Sequence, residues 1–311
     1  DRVWGNIVDN SQQIKPYVYL KNRIRDFYDF GIGYNNSVSA TGGNDNTQFH
    51  ASISQNFIDG PIPTDDDSYK RYTIASSGSH KQNKFTISTS INFSSERNEA
   101  SPTGQDNSIY RSLNEIATDI SIVDLKDLNN KFNIKEAVQT KNKFFGKLQL
   151  DYDILDNLKL TYRFGGDYEA TIADTHFDAI VFTPGSPNDG SSNASPGSYD
   201  QVRRQRVQMN HDLILNYNAN FGDFSFNAIA GANTNEQSYN ALGGEITSID
   251  IPGFYDFTNS LSPSTANQAS SLYRLWGMYL NADLGFRDYL YLTLTGRNDY
   301  YSTMQLGKNS Y

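Results

Sequence analysis

The chain has no cysteine and only 9 prolines, 4 histidines and 2 tryptophans in 311 residues. The absence of cysteine excludes disulfide scaffolds, thiol nucleophiles and zinc–thiolate centres. The histidines, His50, His80, His176 and His211, are scattered without the spacing of paired ligands, so they are assigned to lumen, turn or loop positions and no metal site is expected. A basic excess is also missing: 26 Lys+Arg stand against 35 Asp+Glu, a net charge of −9. That balance excludes a nucleic-acid partner, which would need a basic stripe to displace counterions from phosphates. No apolar run of about 18 residues exists, and mean hydropathy is −0.62, so no membrane-spanning helix is expected. The Gly-rich lysine motif of a phosphate cradle is absent; Gly165-Gly166 and Gly243-Gly244 instead suggest bulges or flexible points. Carboxylate pairs such as Asp151 with Asp153, or Asp26 with Asp29, are what chance supplies among 35 acids. Neither a catalytic residue nor a cofactor is expected, and the chain does not read as an enzyme.

What is plentiful is aromatic and polar: 21 Tyr and 18 Phe, with many Asn and Ser, a composition that favours strands. The two-residue period confirms that preference locally. Tyr34, Val38 and Ala40 alternate with Asn35, Ser37 and Ser39; after Gly42-Gly43-Asn44-Asp45-Asn46 the alternation resumes through Phe49, Ala51, Ile53 and Phe57. Four further pairs follow. Their apolar faces run through Phe85, Ile87, Ile91 and Phe93; through Phe144, Leu148 and Leu150, then Leu160, Tyr162 and Phe164; through Val207, Leu213 and Leu215, then Phe224 and Phe226; and through Leu272 and Leu284, then Leu290, Leu292 and Leu294. Together they predict ten strands in five hairpins, each strand about ten residues long.

Connection lengths alternate. Short turns close each hairpin, whereas 58–68, 96–142, 170–200 and 235–271 read as long polar loops, all at one end. Segregated loop lengths are the mark of an outer-membrane barrel, and about ten residues tilted near 45° cover its ~25 Å apolar band. A soluble sandwich or propeller is the competing architecture, but it has no reason to sort its loops. On the barrel reading Phe49, Ile53, Ile87, Ile91, Leu148, Leu150, Leu213, Leu292 and Leu294 face lipid, and Phe57, Tyr69, Phe144, Tyr168, Phe224 and Tyr289 form an aromatic girdle. Lys159, Thr161, Arg163 and Asp167, or Asn210, Asp212, Asn216 and Asn218, line a wet lumen. The stretch 108–117 reads as one helix inside the longest loop, with Ile109, Leu113 and Ile116 on one side. Asp65-Asp66-Asp67 lacks the spaced ligands of a calcium loop and reads as a solvated turn.

The segment from Asn35 to Phe49, with its Asn-Asn-Ser-Val-Ser-Ala-Thr-Gly-Gly-Asn-Asp-Asn-Thr-Gln-Phe order, resembles a hairpin of the SusC/RagA-type TonB-linked outer-membrane transporters. Gly60-Pro61-Ile62-Pro63, Tyr69-Lys70-Arg71-Tyr72 and the stretch from Leu290 to Ser302 are similar to later parts of the same family. The resemblance implies an all-β, transmembrane antiparallel barrel of about 22 strands, of which residues 1–311 would be an interior portion of about ten, without the plug domain or TonB box. It further implies a bacterial outer-membrane location within lipid, TonB coupling through the plug, a SusD-like surface lipoprotein over the mouth, and import of an oligosaccharide or peptide. A passive channel or surface adhesin built on the same wall is the alternative. Candidate substrate contacts are His50, Arg163, Asp167 and Arg297 on the lumen face, and Phe254, Tyr255 and Phe257 in a loop, where they either stack on substrate or form a small core of their own.

Overall fold

The computed structural model describes residues 18–63, 67–100, 113–114, 137–179, 184–185, 195–287 and 289–304, together with the backbone of 2–8, 11–16, 135–136 and 180. Strands β1 (Arg2–Val8) and β2 (Ser11–Pro16) form a two-stranded hairpin that the sequence pattern did not reveal. The other ten strands make one antiparallel sheet in strict chain order. They are β3 (Ile32–Gly43), β4 (Thr47–Asp59), β5 (Ser68–Gln82), β6 (Phe85–Ala100), β7 (Lys135–Leu155), β8 (Leu158–Ile180), β9 (Ser195–Phe221), β10 (Phe224–Ile246), β11 (Thr265–Phe286) and β12 (Leu290–Tyr301).

The five expected hairpins are all present, and their turns are chemically suited to reversal. Asn44 accepts backbone N–H bonds from Asn46 at 2.9 Å and Thr47 at 2.8 Å through its side-chain oxygen, a local Asx turn. Gly222 turns the β9–β10 hairpin at φ 60° and Asn83 the β5–β6 hairpin at φ 54°, the left-handed conformation that tight hairpins require.

Strand length departs from expectation. β8, β9 and β10 contain 23, 27 and 23 residues, so the strands run on into both ends of what reads as loop at 96–142, 170–200 and 235–271. Only 60–67, 101–134, 181–194 and 247–264 lie between the strands at that end. The reason is physical: beyond an apolar band both faces of a sheet meet water, so hydrophobic alternation fades while the backbone ladder continues unbroken. The helix expected over 108–117 lies outside the described residues except for Leu113 and Asn114, which are helical.

The register shows that the sheet is a barrel wall. Phe85, beside the turn at the start of β6, connects partner by partner through Tyr152, Leu160, Leu215 and Ala230 to Leu280, six residues along β11 from its turn-end Phe286. Over five strand steps that is about 4 Å of slip per ~4.8 Å step, a strand tilt of about 40°. At that tilt a 23-residue strand rises about 58 Å, more than twice the ~25 Å apolar band. β3 and β12 are the outermost strands, and no described strand pairs with their outer edges; the described sheet is an arc of a barrel rather than a closed one.

The same register sorts the side chains onto two faces. The nine residues assigned to lipid share one face with Phe85, Phe93, Phe144, Tyr152, Phe164, Leu215, Leu280 and Leu284, and most are exposed. Three assignments are corrected. Tyr69 falls on the opposite, polar face, next to Asn98. His211 sits on the apolar face between Phe164 and Thr234, where its Nδ1 lies 2.8 Å from Tyr162 Oη and its ring 5.0 Å from that of Phe164; a polar pair that satisfies itself is tolerated there. Finally, Gly165, Gly166, Gly243 and Gly244 keep regular register, the one shift in the ten-stranded sheet falling between Asp153 and Leu155. Gly244 leaves room for the Phe257 ring, 3.0 Å from where a Cβ would stand.

Candidate functional site

The polar face is a continuous field of hydrogen-bonding side chains. Thr161 donates to Asp151 Oδ1 at 2.6 Å, Gln149 Nε2 donates to Asp151 Oδ2 at 2.9 Å, and Arg163 Nε reaches Gln149 Oε1 at 3.3 Å. Asn210 accepts from Asn235, whose own oxygen accepts from Gln237 at 3.2 Å. Toward β12, Arg297 is paired with Asp299 at 2.7 Å, bonds Asn233 Oδ1 at 3.3 Å and lies 5.8 Å over the Tyr279 ring. These cations and carboxylates are held by neighbours on their own strand or on the one beside it, so the wall is braced and wettable at once.

His50, Arg163, Asp167 and Arg297 all stand on this face, as anticipated, but they do not converge. β4 and β8 are four strands apart, and so are β8 and β12; four steps span about 19 Å. His50 pairs locally with Thr41, Nδ1 to Oγ1 2.8 Å, beside a shallow depression lined by Gln48, Ser77, Ser79, Ser90 and Lys147. These residues mark a surface rather than a single pocket. The residues that alternation failed to flag lie higher up: Lys141, Lys143, Thr171, Arg204 and Arg206 occupy adjacent positions on β7, β8 and β9. Lys141 and Thr171 fall in stretches read as loop and the others just outside them, so only continued period-two reading through polar sequence would have put all five on one face.

The loop aromatics have a different fate. Residues 247–264 fold back onto the apolar-face side of the upper strands, where Tyr255 and Phe257 pack against Tyr199, Ile246 and Ile249. Pro252 and Gly253 (φ 78°) form a turn closed by a bond from Phe254 N to Ile251 O at 3.3 Å, the geometry of a type II turn. Asn259, only 5% exposed, ties the loop: its Oδ1 accepts from Ile251 N at 2.9 Å, and its Nδ2 donates to Ile251 O at 2.8 Å and Phe254 O at 2.5 Å. Tyr199 donates to Asp174 at 3.0 Å; burial and then this bond push its phenol up to about 12. Phe254 stays exposed at the tip. Asp67, at the end of the acidic triplet, closes a turn instead of facing a cation, accepting from Gly60 N and Ile62 N. Asp65 and Asp66 lie outside the described residues. Among the described residues no group of three or more potential metal ligands occurs.

A tilted sheet with an apolar band on one face and a polar network on the other matches known membrane proteins in shape. The chain is similar to the RagAB peptide transporter, with a TM-score of 0.72 at 12% identity over 94% of this chain and 34% of that one. It is also similar to the RagAB peptide importer in its open-open state, TM-score 0.72 at 13% identity over 95% and 35%. The chain has the fold of a TonB-dependent transporter barrel. The siderophore receptor PiuA from Acinetobacter baumannii superposes more loosely on this wall, TM-score 0.53 at 14% identity over 90% and 44%. The wall thus spans about a third of the length of the RagAB chains it matches. No protein-family model matches the chain, and no curated protein matches it in sequence.

Proposed function

We propose that this chain is the wall of a TonB-dependent importer that carries a large nutrient, an oligosaccharide or peptide, across the bacterial outer membrane, and that it is not an enzyme. The observation that carries the reading is the match to the RagAB peptide transporter over 94% of the chain, joined to strands that rise far above the band. A simple pore gains nothing from a wall of that height. A mouth that must receive a bulky solute and seat a partner does, because tall strands present contact area outside the lipid. In this reading a SusD-like surface lipoprotein sits over the ends of β6 to β11, and TonB acts through a plug inside the completed barrel. The dispersed lumen-face residues Arg163, Asp167 and Arg297 provide exchangeable hydrogen bonds along the route, strong enough to bind and shallow enough to release.

The test is uptake of labelled oligosaccharides and peptides by cells carrying the full-length gene, with and without TonB. The expected result is uptake that depends on TonB and falls when 248–260 is deleted, while the barrel still assembles, since that loop closes on itself. Uptake that ignores TonB and tolerates the deletion would make the wall a passive channel.

A further inference from the structure

On the polar face above the band, two neighbouring rungs of the sheet concentrate positive charge. Arg71, Glu96, Lys141, Thr171 and Arg204 stand side by side on β5 through β9. The rung below carries Ser94, Lys143, Glu169, Arg206 and Tyr239. Both carboxylates are engaged, Glu96 with Arg71 at 3.6 Å and Glu169 with Lys143 at 3.3 Å. Lys141, Arg204 and Arg206 have no carboxylate partner among the described residues, and Arg206 rests 6.0 Å from the Tyr239 ring. Beyond Glu169, the next acids along β8 and β9 on this face are Asp167, one rung below Arg206 and four residues from Thr171, and Asp200, four residues or about 13 Å along the strand from Arg204.

A second observation is independent of charge. Thr171, between Lys141 and Arg204, is 4% exposed, and its hydroxyl has no hydrogen-bond partner. Buried hydroxyls are nearly always bonded, and the exceptions call for an explanation. A hydroxyl donor flanked by a guanidinium and an ammonium is the donor set that a carboxylate satisfies: two parallel bonds from the arginine, a point charge from the lysine and a short bond from the hydroxyl. The surrounding chain has a net charge of −9, which holds acidic solutes off at long range. A cationic patch at the mouth reverses that field where it matters.

We propose that Lys141, Thr171 and Arg204, supported by Arg206, form a subsite for a carboxylate of the transported substrate. The inference rests on the import reading above and narrows it to acidic cargo. That carboxylate can belong to an acidic sugar or to an acidic peptide, and the experiment separates the two.

The full-length transporter in detergent is titrated calorimetrically with trigalacturonate and with triglutamate, each against a neutral counterpart, maltotriose or trialanine amide. At least one acidic ligand binds more tightly than its counterpart, and which one does so identifies the source. Lys141→Gln with Arg204→Gln weakens that ligand by about 30-fold and leaves neutral ligands unchanged, consistent with losing two charge-assisted contacts. Thr171→Val, which keeps the shape of the side chain, weakens it by about 3- to 10-fold. Equal binding of acidic and neutral ligands overturns the proposal. So does a double variant that binds like the original, or one that only melts earlier, since the cations would then merely brace the wall. If the subsite fails by any of these results, TonB-dependent uptake by the unaltered protein still keeps the import reading. Uptake independent of TonB in the unaltered protein removes both.

Discussion

β8 to β11 are each two structures joined end to end. In the lower half the outward face of β9 runs from Tyr217 to Val207 and that of β11 from Phe286 to Trp276, almost wholly apolar, with Trp276 stacked on Tyr300 at 4.1 Å. In the upper half the same face carries Asp174, His176 and Arg203, and at the boundary, beside Met209, Glu236 and Arg274 are joined at 2.6 Å. The hydrogen-bonded ladder does not change between them. What changes is the medium. Backbone groups in lipid have no alternative to the ladder, and in the upper half the ladder is kept by added local packing: Tyr199, Ile246 and Ile249 build a core under the folded-back loop.

The contrast is broken most sharply by moving a charge from one half to the other. Leu213 is 49% exposed in the middle of the lower half. Leu213→Arg is expected to cost about 2–4 kcal/mol, the penalty for arginine at the centre of a bilayer. Gln205→Arg, on the same face of the same strand but above the band, is expected to fall within about 0.5 kcal/mol of the original. Urea titration of folding into lipid vesicles measures both. Equal costs would mean that the lower face does not meet lipid.

The same division decides how much was legible beforehand. Where one face is lipid and the other water, Ile87, Ile91, Leu213 and Leu292 announce their strands, and the ten-strand order follows. Where both faces are wet, residues such as Asn240, Leu242 and Gly244 look like loop, although they pair rung for rung with Gln205, Arg203 and Gln201. His50, Arg163, Asp167 and Arg297 were placed on the correct face by period alone. Period cannot say how many strands separate two residues, so their dispersal around the wall was invisible. Thr171 went unnoticed because a buried hydroxyl without a partner is a property of packing, and its sequence context is ordinary. The pairing of Phe257 with the space over Gly244 likewise links positions through a fold-back that no local pattern encodes.

A second test acts on the upper half alone. Asn259→Ala removes the side chain that bonds Ile251 N, Ile251 O and Phe254 O. Some of those groups recover water, so the expected loss is about 2–3 kcal/mol, confined to the loop. Limited proteolysis should then cut within 247–264 while the resistance of the barrel to denaturant stays the same. A matching fall in barrel stability would show that the two halves fold as one cooperative unit.

The smallest effect concerns the phenol at the base of that loop. Tyr199 is 8% exposed and donates to Asp174 at 3.0 Å, so Tyr199→Phe keeps the ring and is expected to cost about 1 kcal/mol of loop stability at neutral pH. Burial first, and then the Asp174 carboxylate, raise the phenol from 10.0 to about 12. Because the folded value lies above the unfolded one, the stabilisation is fully present below pH 10 and fades as the pH climbs toward about 12, where the phenolate would face the carboxylate. The difference between the original and Tyr199→Phe, followed by loop-reporting fluorescence from a dye placed at Ser262, should therefore be constant up to pH 10 and close above it. A difference that opened with rising pH would mean that Tyr199 is held in its ionised form, and that Asp174 does not accept its hydrogen bond.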